Sequence, residues 1–285
     1  MSATAIRTGA MALRRPALTR RATALRTLAM RRAALTARNP RQIAVPLLTP
    51  ILFATVIAPA LSKALGGLHT HIDYIAFVSV GTVGLLVPLA AIFAGLSVIV
   101  DRHSGAQKEL LAAPIPRALL VLSNLVVVLA LATFQVIVLI AVAALRGGSF
   151  DITATGVFWF VAASVLFTVF MYGVAETLAA RIPRQEEYIG ATPAVAILPF
   201  FFAGALFPIH VLPGALAAFA KLLPLTHALA LMRYGFVDHR GTGLHDIWGM
   251  TNATTEAWLS LGVVAMFATA FIALGIRTFK RSAVS

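Results

Sequence analysis

Asp101-Arg-His-Ser-Gly105-Ala-Gln-Lys-Glu109-Leu110-Leu111-Ala-Ala-Pro114-Ile-Pro-Arg117 is a short polar island between two apolar runs, Ile75 to Val100 and Ala118 to Leu145. A helix needs roughly 20 apolar residues to cross about 30 Å of hydrocarbon at about 1.5 Å per residue, and both runs exceed that. The island therefore joins two membrane spans, and the rest of the chain is read outward from it.

Four more stretches have the same character: Ile43 to Ser62, Ala154 to Ala180, Ile189 to Phe207 and Ala257 to Ile276. Barrel strands would show ~10-residue alternating segments instead, so six transmembrane helices are predicted. Composition agrees. Of 285 residues, 60% are hydrophobic and 12% charged, against about 25% charged in a soluble domain. The fold class is an all-α integral membrane protein. The absence of cysteine excludes disulfides, thiolate nucleophiles and cysteine-ligated metals.

The net charge of +13 would suit nucleic acid only if it formed a soluble patch, and it lies beside the spans instead. Cytoplasmic loops are enriched in Lys and Arg. With the N-terminus inside, that side holds ten Arg before residue 43, then Arg102, Lys108, Arg117, Arg181, Arg184, Arg277, Lys280 and Arg281. The other side holds Lys63, Arg146, Lys221, Arg233 and Arg240. Both termini are therefore predicted to be cytoplasmic, with residues 1–41 a basic tail and 42–285 the six-span domain.

The tail contains no Asp or Glu and a single serine, Ser2, whereas organellar transit peptides are serine-rich. Leu18, Leu25, Leu28 and Leu35 fall on one side of a helical wheel, with Arg20, Arg31 and Arg38 mostly on the other. This predicts an amphipathic interfacial helix on the inner leaflet, arginines toward anionic lipid. Pro40 and Pro46 are expected to break the path to the first span. Before Pro16, an ordered helix and a disordered basic tail are equally compatible with composition.

In the polar island, Pro114 and Pro116 stop any helix that starts near Asp101, leaving about three turns. Asp101 is expected to cap that helix or complement its dipole, and Ala106, Leu110 and Ala113 share a face. Such an element is either a docking surface, with leucines for a partner's groove and charges for register, or a solvated loop with an interfacial helix.

Between spans five and six runs Phe200-Phe-Phe-Ala-Gly204-Ala-Leu-Phe207-Pro208, then Pro213 to Leu223, then Pro224-Leu-Thr-His227 to Arg233 and Phe236. Eleven residues from Pro213 make about 16 Å of helix, too short to cross. This piece must turn back or lie in the outer interface.

Asp101, Arg102, Gly105, Glu109, Leu110, Leu111, Pro114 and Arg117 resemble the coupling-helix loop in the permease subunits of type-2 ABC exporters, the group that includes daunorubicin-resistance and nodulation-factor permeases. His103 and Ser104 depart from that family's more acidic character. Gly204, Phe207, Pro208, Pro213, Pro224 and Arg233 resemble its external re-entrant hairpin, with His227 where an aromatic is frequent. The resemblance implies an exporter permease that moves an amphipathic or hydrophobic compound from the bacterial cytoplasm or inner leaflet. It also implies a second permease copy or related permease, and separate ATPase subunits that hold ATP and magnesium and drive the loop. No Gly-rich phosphate loop ending in Lys-Ser or Lys-Thr occurs in the chain, so it has no such ATP site of its own. Phe200, Phe201 and Phe202 are candidate apolar contacts for cargo, and Gln135 either lines that path or, like Asn124, hydrogen-bonds between helices.

Two other classes are compatible with a chain of membrane spans. A proton-coupled transporter needs ionisable groups near the midplane, and Glu176 is the clearest intramembrane acid, expected to reach water at the end of the fourth span. A membrane enzyme needs a metal site, for which the external loops offer His69, His71, Asp73, His239, His245 and Asp246. Gly81, Gly84, Gly95 and Gly173 are expected to let spans approach closely, and Pro88, Pro193 and Pro199 to let them bend.

Overall fold

The computed structural model describes residues 17–65 and 73–282. Within them there is no strand. Helix α1 (Ala17–Ala37) leads through a break at Asn39 into α2 (Pro40–Leu52), a π-helical turn (Phe53–Ile57) and α3 (Ala58–Leu65). These three pieces make the first span, Ile43–Ala60. The path is broken once, where Pro40 opens α2, and the helix runs on through Pro46. Proline is tolerated in a span where neighbouring helices re-satisfy the freed carbonyl.

Helix α4 (Tyr74–His103) is the second span, capped by Asp73, whose Oδ1 accepts from Ile75 N at 2.8 Å and Ala76 N at 3.2 Å. The short α5 (Ala106–Ala112) follows, then the spans α6 (Ala118–Leu145) and α7 (Ala154–Arg181). After α8 (Gln185–Gly190), a π-helical turn (Pro193–Ile197) and α9 (Leu198–Phe202), the chain forms α10 (Gly214–Ala220), α11 (Pro224–Phe236), α12 (Thr242–Trp248) and the last span, α13 (Ala253–Ser282).

The expected fifth span, Ile189 to Phe207, is not one regular helix. It is the run of pieces from Gln185 to Phe202, because Pro193 and Pro199 lack the amide hydrogens that regular i→i−4 bonding requires. The run still joins the two ends of the bundle. At its start the Tyr188 hydroxyl donates to Ala175 O at 3.4 Å beside Gly95, and just beyond its end Gly204 and Ala205 lie against Phe77 and Arg233. Five helices are thus long and apolar enough to cross by themselves. Helices α10 and α11 bend against each other by 80° and fold back: Leu225 reaches the depth of Gly84, and Gly235 returns to the start of α7.

Helix α4 is the most enclosed span, with α2, α6, α7 and α11 around it, and α7 packs against α13 and α11. In lipid there is little hydrophobic gain from helix association, so close backbone approach carries the packing. A Cβ on Gly173 would overlap the backbone of Phe271 and Ile272, and one on Gly156 would overlap the Gly235 carbonyl. Gly81 lies equally close to the Ala205 carbonyl, whereas Gly84 makes room for the Leu225 side chain and Gly95 for the Tyr188 hydroxyl. Trp159 and Trp258 meet edge-on, 5.0 Å between ring centroids, near the starts of α7 and α13, with Phe158 and Tyr234 of α11 packed at steep angles on Trp159. Aromatic rings of this kind favour the membrane–water boundary.

Candidate coupling site

One end of the bundle gathers the residues of the polar island. The α4 helix runs three residues past Val100, so Asp101 and Arg102 lie in its last turn and Asp101 does not cap the following helix. The cap of α5 is Gly105, whose φ of +81° no other residue adopts cheaply, and nothing lies within 4 Å of where its Cβ would be. Helix α5 has 7 residues, two turns rather than three.

The charged groups of the island tie three other helices to it. Arg102 donates from Nη1 to Ala179 O at 3.1 Å and from Nη2 to Ile182 O and Pro183 O at 3.0 and 3.2 Å. These are the unsatisfied carbonyls that end α7, where a cation also complements the helix dipole. Arg117 donates to Lys280 O at 3.3 Å, near the end of α13. Asp101 Oδ2 lies 3.0 Å from Nη1 of Arg32, and Arg32 also hydrogen-bonds Ser97 Oγ. Helix α1 is thereby fastened to the last turns of α4.

That clasp revises the reading of the tail. Leu25, Leu28 and the 6%-exposed Arg32 lie on the bundle side of α1, which packs along α6, while Leu35 is exposed. The leucine face therefore meets protein, because burying it against α6 also lets Arg32 reach its only carboxylate among the described residues. The side chains of Leu18 and Arg20, and all residues before Ala17, lie outside the described parts. On α5, Leu110 and Leu111 pack in part against this chain's own core. What the island shows to solvent is His103, Ser104, Lys108, Glu109, Ala112, Pro114 and Pro116, a mainly polar surface. Gln107 points inward with an unpartnered Oε1. Neither Arg32 nor Gln107 stood out in the sequence, since a lone arginine in an arginine-rich tail and a glutamine in a loop have no periodic signature.

The opposite end holds the hairpin. Gly204, at φ +75°, turns the chain after α9, Pro213 and Pro224 open α10 and α11, and Phe207 is exposed beside Pro208. Arg233, 9% exposed, joins these parts. Its Nη1 donates to Gly204 O at 2.8 Å, Nη2 to Ala205 O at 2.7 Å and to Phe77 O at 3.3 Å, and its guanidinium carbon lies 3.4 Å from the centroid of the Phe77 ring. A charge off the bulk solvent must be compensated. Here three carbonyls and an aromatic face do so. Tyr74 adds a hydrogen bond to Leu206 O.

The candidate cargo residues separate. Phe200 is buried, edge-on to Phe53 with ring centroids 5.8 Å apart, Phe201 is exposed, and Phe202 packs on Phe219. Gln135 is fully buried and donates to Ile43 O at 2.9 Å, so it ties α6 to the first span. An apolar groove of about 480 Å³ instead opens between α6 and α7, lined by Val136, Ile140, Phe160, Val161, Ser164 and Phe236 among others. Glu176 does not reach water. It is 1% exposed, accepts from the Tyr172 hydroxyl at 2.9 Å and faces Gly275, because its side of α7 is the one that meets α13.

The histidines do not converge. His210 pairs with Asp246 at 2.8 Å, His239 with Asp151 at 3.1 Å and His245 with Glu256 at 2.5 Å, while His227 contacts Ser260 Oγ and Lys221 O. Asp73 is engaged by its own helix and by Ser149. Among the described residues no three His, Asp or Glu side chains could share a metal ion. His69 and His71 lie outside the described residues.

Residues 23–237 match the family model described as ABC-2 type transporter. The chain belongs to the ABC-2 type transporter family. This ABC-2 protein is 28% identical over 200 residues to "Putative transport permease ycf38" of Porphyra purpurea, which covers 69% of this chain and 68% of that protein. It is 27% identical over 201 residues to the protein of the same name in Pyropia yezoensis. It is a multi-pass membrane permease subunit of an ABC transporter, a transport component whose family implies an ABC ATPase subunit and dimerisation.

Proposed function

We propose that this permease is the membrane half of an ATP-driven exporter, carrying an amphipathic or hydrophobic compound, such as a drug, an antibiotic or a lipid-like molecule, out of the cytoplasm or inner leaflet. The end rich in arginine faces the bacterial cytoplasm, with both termini there. The partner ATPase subunits hold ATP and magnesium, and the permease pairs with a second copy or a homologous chain. The apolar groove between α6 and α7 supports an apolar cargo, since such a surface offers no charge to select an ion.

One observation carries this reading. The exposed side of α5 is the short link in a frame whose other members are the ends of α4, α7, α13 and α1, held by Arg102, Arg117 and Asp101. A push on α5 is transmitted to all four, because hydrogen bonds to helix ends leave little slack. Lys108 and Glu109 supply the contact with the ATPase, and Arg102 and Arg117 pass the motion on. The test is a charge reversal, Lys108→Glu with Glu109→Lys, in the co-expressed complex. Loss of the ATPase subunit on purification, with the permease still inserted, is expected. Full retention of that subunit and of transport sinks the assignment.

A further inference from the structure

Consecutive spans joined by a short loop normally pack along their length. Here α6 and α7, joined by residues 146–153, stand apart over the half next to that loop, and the apolar groove of about 480 Å³ lies between them. Ile137, Ile152 and Val161 on its rim are 62%, 60% and 50% exposed, so it opens sideways toward lipid. No charged residue lines it, and the Thr168 hydroxyl within it donates to Ser164 O at 2.7 Å. Such a space draws no water. Left unfilled, it forfeits the dispersion contacts of its wall atoms.

Its dimensions select the occupant. Along α6 the groove runs from Ala144, beside the loop, to Leu129, about 22 Å of helix, and it stops well short of the other end of α6. A helix of that length, about 10 Å across, would take up roughly 1,700 Å³, far more than the groove holds. An unbranched hydrocarbon chain, about 5 Å across at van der Waals contact, takes up roughly 440 Å³ over the same length. One leaflet contributes only about 15 Å of hydrocarbon, so a chain that fills the groove lies extended.

The floor of the groove belongs in part to the hairpin. Phe160 stacks on Phe236, 4.1 Å between ring centroids and 8° between planes, and Asp151 N donates to Phe236 O at 2.9 Å. Phe236 ends α11, one turn beyond the buried Arg233 that holds Gly204, Ala205 and Phe77. We propose that this groove binds one linear acyl chain of a membrane phospholipid from the leaflet on the hairpin side, and that the bound chain backs the Phe160–Phe236 stack and steadies the end of α11. Arg146, at the end of α6, is turned to the first span, 3.4 Å from Thr55 O, and Asp151 is paired with His239. The shape of the tail, not the charge of the headgroup, therefore does the selecting. A cargo tail entering the same groove would have to displace this lipid, and the lipid site does not rest on the exporter reading.

The test uses the full chain with its ATPase subunit in vesicles of diphytanoyl phosphatidylcholine, whose methyl-branched tails are too wide for the groove. A trace of palmitoyl phosphatidylcholine carries a diazirine either at the end of one tail or near the glycerol. After photolysis the tail-end probe is expected to mark Leu129 and Thr133, and the glycerol-end probe Phe150 and Ile152, each several times more than the lipid-exposed Met266 of α13. Unlabelled palmitoyl lipids with choline or glycerol headgroups should compete equally. Ala141→Phe with Ala144→Phe fills the groove and should remove the excess labelling. Hydrogen exchange of the α11 amides should slow when linear lipid is added to the branched vesicles, and should not respond in the filled variant. Labelling no stronger than at Met266, labelling unchanged in the filled variant, or competition by one headgroup alone overturns the site. The chain has no cysteine, so rapid disulfide formation between two copies carrying Val161→Cys would assign the groove to a contact between copies and overturn it too. Exchange in α11 that ignores linear lipid overturns the brace. A complex that transports without groove labelling overturns the lipid site alone. A labelled groove in a complex that moves no apolar compound overturns the exporter reading and leaves the lipid site standing.

Discussion

Replacing Arg102 by alanine removes the group that holds the end of α7 to the last turn of α4. Three hydrogen bonds are lost, two of them shared by one nitrogen, to Ala179 O, Ile182 O and Pro183 O. A hydrogen bond to a charged group contributes about 1.5–3 kcal/mol. Arg102 is only half-buried, so solvent screening places the total near the low end, about 2–3 kcal/mol. That corresponds to roughly a 30- to 150-fold shift toward an α7 end released from α4. The surface of α5 is untouched, since Lys108 and Glu109 point elsewhere and remain exposed. The expected result is a complex that retains its ATPase subunit and hydrolyses ATP, but moves at least about tenfold less cargo per ATP, in line with the loss of about 1.4 kcal/mol or more. Arg102→Lys, which can keep one donor, should fall between. Both ratios are measured in the same vesicles, by phosphate release and by cargo accumulation. Unchanged cargo per ATP in a normally folded Arg102→Ala complex refutes the transmission route.

Other perturbations test the rest of the frame. Arg233→Leu strands the carbonyls of Gly204, Ala205 and Phe77 and should cost roughly 3 kcal/mol, read as a lower melting temperature in detergent, with Arg233→Lys less damaging. Gly173→Ala drives a methyl into the backbone of α13 and should destabilise by about 1–3 kcal/mol. Gly190→Ala meets nothing within 4 Å and should be neutral or slightly stabilising, because alanine loses less backbone entropy than glycine. In the cysteine-free chain, Lys108→Cys should react with an impermeant reagent only from the cytoplasmic side and Leu216→Cys only from outside. The reverse pattern removes the orientation.

A frame held at its ends explains why the bundle combines tight and loose features. Glycines set α7 against α13 and α11 with no slack, so motion at the end of α7 moves its neighbours too. The first span and the broken run between α8 and α9 each contain a π-helical turn, Phe53–Ile57 and Pro193–Ile197. Such turns interrupt the regular hydrogen-bond ladder and are frequent at functional sites.

The all-helical membrane class and the five helices long enough to cross were legible in the amino-acid order, because they follow from local quantities: a fixed rise per residue and a fixed hydrocarbon thickness. The break between Pro213 and Pro224 was equally readable, and α10 and α11 meet there at 80°. Only the tertiary structure assigned partners. It joined Arg32 to Asp101 across 69 residues, Arg102 to Ala179 across 77 and Arg117 to Lys280 across 163. It also turned Leu110 and Leu111 inward and buried Gln135 and Glu176. A periodicity records which side of a helix is apolar; it does not record which neighbour that side will meet, and contacts between distant segments depend on how all the spans pack at once.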